Sequence, residues 1–214
     1  VSHDIKTPLT SIINYVDLLG KEKPENEKMR EYIDVLQRQS ARLKKLIDDL
    51  LEASKASTGN LTVNAEPCDV GVLLDQTLGE YGEKLSAAGL EPVLTKPEKP
   101  VIIMADGRHM WRIFDNLLNN ICKYSQRGTR VYLEVCERDG KAVVTFRNIS
   151  SRQLNISSDE LMERFVRGDS SRNTEGSGLG LNIAQSLAQL QKGTMELTVD
   201  GDLFKVTLTF DVVK

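Results

Sequence analysis

The chain has 214 residues, 40% of them hydrophobic, enough for one large domain or two small ones with apolar cores of their own. Its 28 basic and 31 acidic residues are mixed along the sequence for a net charge of -3, so no basic stripe is available to neutralise a nucleic-acid backbone and direct DNA or RNA binding is not expected. Cys68, Cys122 and Cys136 are odd in number and lack CxxC spacing, which argues against a disulfide framework or a zinc site and fits a reducing cytoplasm.

No apolar run approaches the ~20 residues that span a bilayer, and nothing resembles a signal peptide. The expectation is a soluble, cytoplasmic chain. It opens at Val1 within a helical pattern, so it is expected to be a fragment of a longer protein, the parent residing in the cell membrane.

The first element is a helix, because Ile5, Leu9, Ile12, Val16 and Leu19 fall at alternating spacings of four and three, a single narrow apolar seam. Gly20 and Pro24 break it. Met29, Ile33, Leu36, Ser40, Leu43, Ile47 and Leu50 then repeat the pattern with only Ser40 polar, predicting a second helix and a hairpin. A hairpin alone cannot bury both seams together with Tyr32, Val35, Leu46 and Leu51, so two copies are expected to pair as a four-helix bundle. A monomeric hairpin folded on the rest of the chain fits less well, since a strict seam suits helix partners.

The helical pattern ends around SKASTGN, which places a domain boundary near residue 60. Beyond it, strand-like and helix-like stretches alternate, as in an α+β domain. LTVNAE reads as a strand, residues 69–88 as a helix, VIIMAD as a strand and residues 106–124 as a helix. RVYLEVCE and KAVVTFRN form a β-hairpin through Arg138, Asp139 and Gly140. After a long polar stretch, GSGLGL opens a helix to about Leu190, and TMELTV and LFKVTLTF form a last strand pair turning at Asp200 and Gly201.

Three places carry chemistry. His3 lies roughly opposite the seam of its helix and is expected to face solvent. Most histidines are ordinary surface or core residues, but Thr7 shares its face, where a hydroxyl can orient water. Asp4 sits a hundred degrees round; a carboxylate there would hold the imidazole neutral at its attacking nitrogen and stabilise developing charge. Pro8 cannot donate to the carbonyl of Asp4, so a kink is expected just past this turn.

The second place is the helix over residues 106–124. Asn116, Asn120 and Lys123 form a polar stripe beside the core-facing Met110, Ile113, Phe114, Leu117 and Ile121. Asn is a poor interior helix residue. The stripe is either a solvated face or a ligand site, with an amide oxygen for Mg²⁺ and an ammonium for phosphate. The third is GSGLGL, whose Gly176, Gly178 and Gly180 precede a helix, where unhindered N–H groups hold phosphate. Glycines at such junctions are common for bland reasons too. Between Ile149 and Glu175 runs a polar segment longer than the ~12 to 15 residues usual for a structureless loop. It reads as a lid with Arg167 placed to reach phosphate, or as an Ω-loop with one short helix.

Taken in order, these segments resemble the motif series of the sensor histidine kinases of two-component systems. VSHDIKTPLTSI is similar to the phospho-acceptor box, DNLLNNICKYS to the N box, LMERFVRGDSSR to the F box and GSGLGL to the second glycine box. The resemblance implies an α+β architecture. A dimerisation and phosphotransfer hairpin over residues 1–60 forms a dimeric four-helix bundle, and a GHKL-type α/β sandwich over residues 61–214 binds ATP, with helices on one face of a mixed sheet. It further implies that His3 is phosphorylated from ATP, assisted by Asp4, and that Thr7 supports removal of phosphate from a response regulator. Asn120 would ligate Mg²⁺, Asn116, Lys123 and Tyr124 would lie near the phosphates and ribose, and Arg167, Gly176, Gly178 and Gly180 would complete the phosphate end. The implied partners are a second copy of the chain and a response-regulator receiver domain, whose aspartate receives the phosphate.

One motif departs from the family pattern. The first glycine box normally opens with an aspartate that accepts a bond from the adenine amino group, followed by two spaced glycines. Here Asn148 holds the aspartate position and ISSRQL follows it. An Asn oxygen still accepts, without the charge-assisted part of the bond, so weak nucleotide affinity is expected. This departure keeps open a second reading, a catalytically weak dimeric scaffold or a phosphatase acting on a response regulator. A GHKL ATPase acting on a serine of another protein would leave the HDIKTPLT helix unexplained.

Overall fold

The computed structural model describes residues 2–22, 26–57, 61–154 and 179–213, without the side chains of residues 2–8, 53, 56 and 57. The chain divides into two compact units, Val1–Ser54 and Lys55–Lys214.

The first unit is helical. Helix α1 (Ser2–Lys21) continues through Pro8, and α2 begins at Glu27 and runs to Ser57. Asn26 starts α2 by accepting the Lys28 N–H on its side-chain oxygen at 3.0 Å, satisfying one of the donors a helix start leaves open. The single seam read from the sequence separates into two strips. Leu9, Val16, Ile33 and Ser40 are buried, whereas Ile12, Leu19, Met29, Leu36, Leu43 and Leu50 remain 40% to 53% exposed. Each strip repeats every seven residues along its helix. Two helices alone cover one strip each; the other strip faces outward.

The described residues of the second unit form two sheets. Strand β1 (Glu66–Asp69) leads into α3 (Val70–Glu80) and α4 (Gly82–Ala87), then β2 (Glu91–Thr95) and β3 (Ile102–Ala105). Helix α5 (Gly107–Tyr124), the hairpin β4 (Arg130–Arg138) and β5 (Lys141–Ile149), α6 (Gly180–Leu190), β6 (Thr194–Asp200) and β7 (Leu203–Asp211) follow. β1 pairs antiparallel with β3, and the larger sheet runs β2-β4-β5-β7-β6. Only β2 and β4 are parallel, so this sheet is mixed. Alternation sends Val131, Leu133, Val135, Ala142, Val144, Phe146, Val206, Leu208 and Phe210 into the core. There Phe146 meets Phe114 of α5 with ring centroids 5.7 Å apart, in the tilted arrangement that aromatic quadrupoles favour. The hairpin turns at Asp139 and Gly140, both at positive φ, the backbone of a two-residue type I′ turn.

Three features differ from the sequence expectation. The first strand begins at Glu66 rather than Leu61, because the Asn64 N–H is taken by the Asp106 carboxylate at 3.0 Å instead of a ladder partner. The helix expected over residues 69–88 is two helices that meet at Tyr81, whose N–H is shared between Thr77 and Leu78 carbonyls. Strand β2 was not foreseen; it is a short edge strand carrying Pro92, and only an edge tolerates a residue without an N–H.

Asp106 organises the start of α5. Buried at 2% exposure, its carboxylate accepts from the Asn64 and Arg108 backbone N–H groups and from the Arg108 guanidinium. His109 Nε2 stands 3.9 Å away and donates to the Thr62 carbonyl at 3.2 Å. The Asp106 N–H donates to Gln191 Oε1, just past α6, at 2.7 Å. Burial pushes the carboxyl up, but the hydrogen bonds from Arg108 and Asn64 and the charge of His109 outweigh it and hold the group well below the usual carboxylate range. A depressed folded pKa stabilises above the unfolded value of about 3.9 and loses that contribution as pH falls through the folded value. Asp106→Asn is therefore expected to cost about 1 to 3 kcal/mol at pH 7. The cost should shrink as the pH of urea unfolding is lowered below about 4, and a pH-independent difference would count against the carboxylate.

Candidate functional site

Helix α5 is the spine of the site. Met110, Ile113, Phe114, Leu117, Leu118 and Ile121 form its buried stripe. One flank is fixed by Tyr81, which donates its hydroxyl to Asp115 Oδ1 at 2.5 Å, while Arg112 reaches Asp115 Oδ2 at 3.2 Å. Burial, then the bond to Asp115, raises the Tyr81 pKa far above the ordinary phenol value, so it remains a donor. Asn116 and Asn120 are half-buried, and Lys123 is exposed in the last turn.

Asn116 commits its amide nitrogen to the Arg112 carbonyl at 2.9 Å, and its oxygen is turned toward α6. A β-carbon built on Gly180 would lie 3.2 Å from Asn116 Oδ1. The last glycine of GSGLGL thus abuts the asparagine stripe, a closeness that explains why position 180 has no side chain.

At its other end α5 is sewn to β5. Ser125 forms an isolated antiparallel bridge with Ser150. The Gln126 N–H donates to the Ile149 carbonyl and the Ser151 N–H to that of Tyr124, both at 2.8 Å. Asn148, two residues before Ser150, is 5% exposed and shares the inward strand face with Val144 and Phe146. Tyr124 and Asn148 are thereby brought to the same end of the fold.

The structure thus sets Asn116 against Gly180 and brings Tyr124 to the end of β5 that carries Asn148; Asn120 and Lys123 are placed by their helix positions. His3, Asp4 and Thr7 lie in α1, but their side chains fall outside the described residues, as do Arg167, Gly176 and Gly178 altogether. Sequence reasoning missed Ser125, whose buried hydroxyl has no hydrogen-bond partner among the described residues. Its only signal was a polar residue directly after the Asn, Lys and Tyr run. Asn182, in the first turn of α6, likewise has a buried side-chain oxygen without a partner among the described residues.

Residues 1–59 match the family model of the His Kinase A (phospho-acceptor) domain. Residues 105–214, more than half of the chain, match that of the histidine kinase-, DNA gyrase B- and HSP90-like ATPases. The chain belongs to the sensor histidine kinase family. It is 31% identical over 194 residues to the sensor protein VanS of Enterococcus faecium, covering 87% of this chain and 49% of VanS. To the sensor protein kinase WalK of Staphylococcus aureus it is 26% identical over 223 residues, covering 100% of this chain and 53% of WalK. The chain therefore spans about half the length of the curated relatives it matches.

Solved histidine kinases share the fold. Full-length ShkA, crystallised with AMPPNP, superposes with a TM-score of 0.83 at 22% identity, covering all of this chain and 45% of ShkA. The Acinetobacter baumannii histidine kinase AdeS gives 0.70 at 20% identity, with both chains covered completely. Among the described residues of this histidine kinase chain, no helix is long and apolar enough to cross a membrane.

Proposed function

We propose that this chain is the cytoplasmic core of a membrane-anchored sensor histidine kinase, which phosphorylates its own His3 from ATP and passes the phosphoryl group to an aspartate of a response-regulator receiver domain. The observation that carries this reading is the pairing, in one chain, of a phospho-acceptor domain containing His3 with an ATPase-family domain in which Gly180 abuts Asn116.

The residues present fit a nucleotide. The start of α6 presents the backbone N–H groups of a helix N-terminus, which hold phosphate, and the buried Ser125 hydroxyl, without a hydrogen-bond partner among the described residues, can meet a polar ligand group. When bound, Mg²⁺-ATP supplies the γ-phosphoryl group, with the metal neutralising phosphate charge. Asn120 would hold the metal through its amide oxygen. Asn116, Lys123 and Tyr124 would lie near the phosphates and ribose, and Arg167 with Gly176, Gly178 and Gly180 would complete the phosphate end. Asn148 accepts from the base. A neutral ring nitrogen of His3 forms the N–P bond as the bond from phosphorus to the ADP oxygen breaks, and Asp4 stabilises the positive charge that develops on the ring. Thr7 orients the water that later hydrolyses the regulator's phosphoaspartate.

The test is incubation with γ-labelled ATP and Mg²⁺, followed by acid and base treatment of the labelled protein. Acid-labile, base-stable label is the expected result; no label together with no nucleotide binding would transfer support to the non-catalytic scaffold. Asn120→Asp is expected to alter metal binding and reduce labelling at least tenfold, whereas unchanged labelling would refute the metal assignment.

This reading also requires a homodimer. The outward strip of Ile12, Leu19, Met29, Leu36, Leu43 and Leu50 has the seven-residue repeat that packs against a second hairpin, and a self-complementary two-fold pairing covers it. Placing charges at Leu36 and Leu43 together, L36E with L43E, is expected to yield a monomer in light scattering. A double variant that stays dimeric would show that the interface lies elsewhere.

A further inference from the structure

We infer that the base end of this site accepts 6-oxopurine as well as 6-aminopurine nucleoside triphosphates, with Asn148 and Ser125 as the residues that confer this tolerance. The inference rests on the nucleotide-site reading above and deepens it by naming the substrate class.

Asn148 is a buried carboxamide on the helix-facing side of β5. The carboxamide presents an acceptor oxygen and a donor NH₂ in one planar group, and a half-turn about its last torsion exchanges them. A carboxylate only accepts. A carboxylate at position 148 would select a base that donates from its 6-amino group and repel one that presents a 6-oxo oxygen; the carboxamide can satisfy either.

Ser125 supplies the second ambivalent group. Its hydroxyl is buried without a hydrogen-bond partner among the described residues, and the backbone bridge to Ser150 places the residue at the end of β5 that carries Asn148. An unmet buried hydroxyl costs stability until a ligand or water meets it, and a hydroxyl rotates to donate or accept as the ligand demands. Ser150 is already engaged, its Oγ accepting the Arg152 N–H at 3.3 Å. The charged neighbours on the strand lie on the opposite face: Arg147 pairs with Glu134 at 2.8 Å and rests over the Tyr132 ring. Position 148 is also matched across the ladder by Phe204, an apolar residue. Among the described residues the polar side chains at this end, Asn148 and Ser125, are therefore neutral and able to bond in both senses.

Calorimetric titration of the 214-residue chain with AMPPNP and with its inosine counterpart, both with Mg²⁺, tests the inference. The inosine compound changes the 6-amino group to oxo and keeps the ribose and phosphates. The two dissociation constants are expected to agree within about fivefold, and Asn148→Asp should widen the ratio beyond about thirtyfold in favour of adenine. Asn148→Ala, which keeps neither donor nor acceptor, should weaken both analogues alike, and Ser125→Ala should weaken both by about three- to tenfold. Ligand-induced rises in melting temperature give the same ratios independently of heat signals and show that each variant is folded. A wild-type preference for adenine beyond about thirtyfold, or a ratio unmoved by Asn148→Asp, would overturn the inference while leaving the nucleotide site standing. Binding of neither analogue would overturn the nucleotide site itself, and this inference with it.

Discussion

His3→Gln is expected to reduce acid-labile labelling to background while leaving AMPPNP affinity within about twofold of wild type, because in the proposed reading the acceptor and the nucleotide site belong to separate compact units and changes that share no partners act additively. The amide nitrogen of Gln has its lone pair delocalised into the carbonyl, so it is neither basic nor nucleophilic, whereas a neutral imidazole offers a free pair on one ring nitrogen. Gln is also a good helix former, so α1, which runs from Ser2 to Lys21, and the hairpin it builds should persist. Circular dichroism and light scattering should therefore be unchanged. Full labelling of the variant would place the acceptor elsewhere and remove the main support for the phosphotransfer reading.

The largest effect on stability is expected at Gly193. A β-carbon there would fall 2.2 and 2.4 Å from two atoms of the Phe210 ring, well inside any tolerable contact. Neither side can yield cheaply. Phe210 is 3% exposed and paired across the ladder with Ala142. Gly193 is held where α6 ends: its N–H donates to the Ala188 carbonyl and that of Lys192 to Gln189, both at 2.9 Å, with Lys192 at a φ of 62°. Gly193→Ala is expected to cost about 3 kcal/mol through overpacking, lowering the melting temperature of the second unit by roughly 10 °C. Scanning calorimetry decides it: a shift below about 2 °C would mean that the ring finds another rotamer without strain.

The sequence made much of this legible because periodicity survives in a single chain. The apolar stripe of α5, the Asp139 and Gly140 hairpin and the order of the motif segments needed no partner information. What it hid depended on contacts between distant residues. Spacing identified the seam of α1 and α2, but only the hairpin's geometry decides that Leu9 and Val16 turn inward while Ile12 and Leu19 turn out. Asp106 looked like an ordinary carboxylate at a strand end, since its partners Asn64 and Gln191 lie 42 and 85 residues away. β2 was lost because five residues including a proline carry little alternation, and a parallel partner is never its sequence neighbour. At the candidate site, periodicity and glycine spacing marked Asn116 and Gly180 separately and their closeness took the fold to show, whereas Ser125 became visible only through the bridge to Ser150 and the burial of its hydroxyl.

Asp106 draws three distant parts of the second unit onto one buried residue: its carboxylate accepts from the N–H of Asn64, its own N–H donates to Gln191, and it stands at the start of α5. Amide hydrogens around Asn64, Asp106 and Gln191 are therefore expected to exchange as one cooperative group, opening together rather than segment by segment.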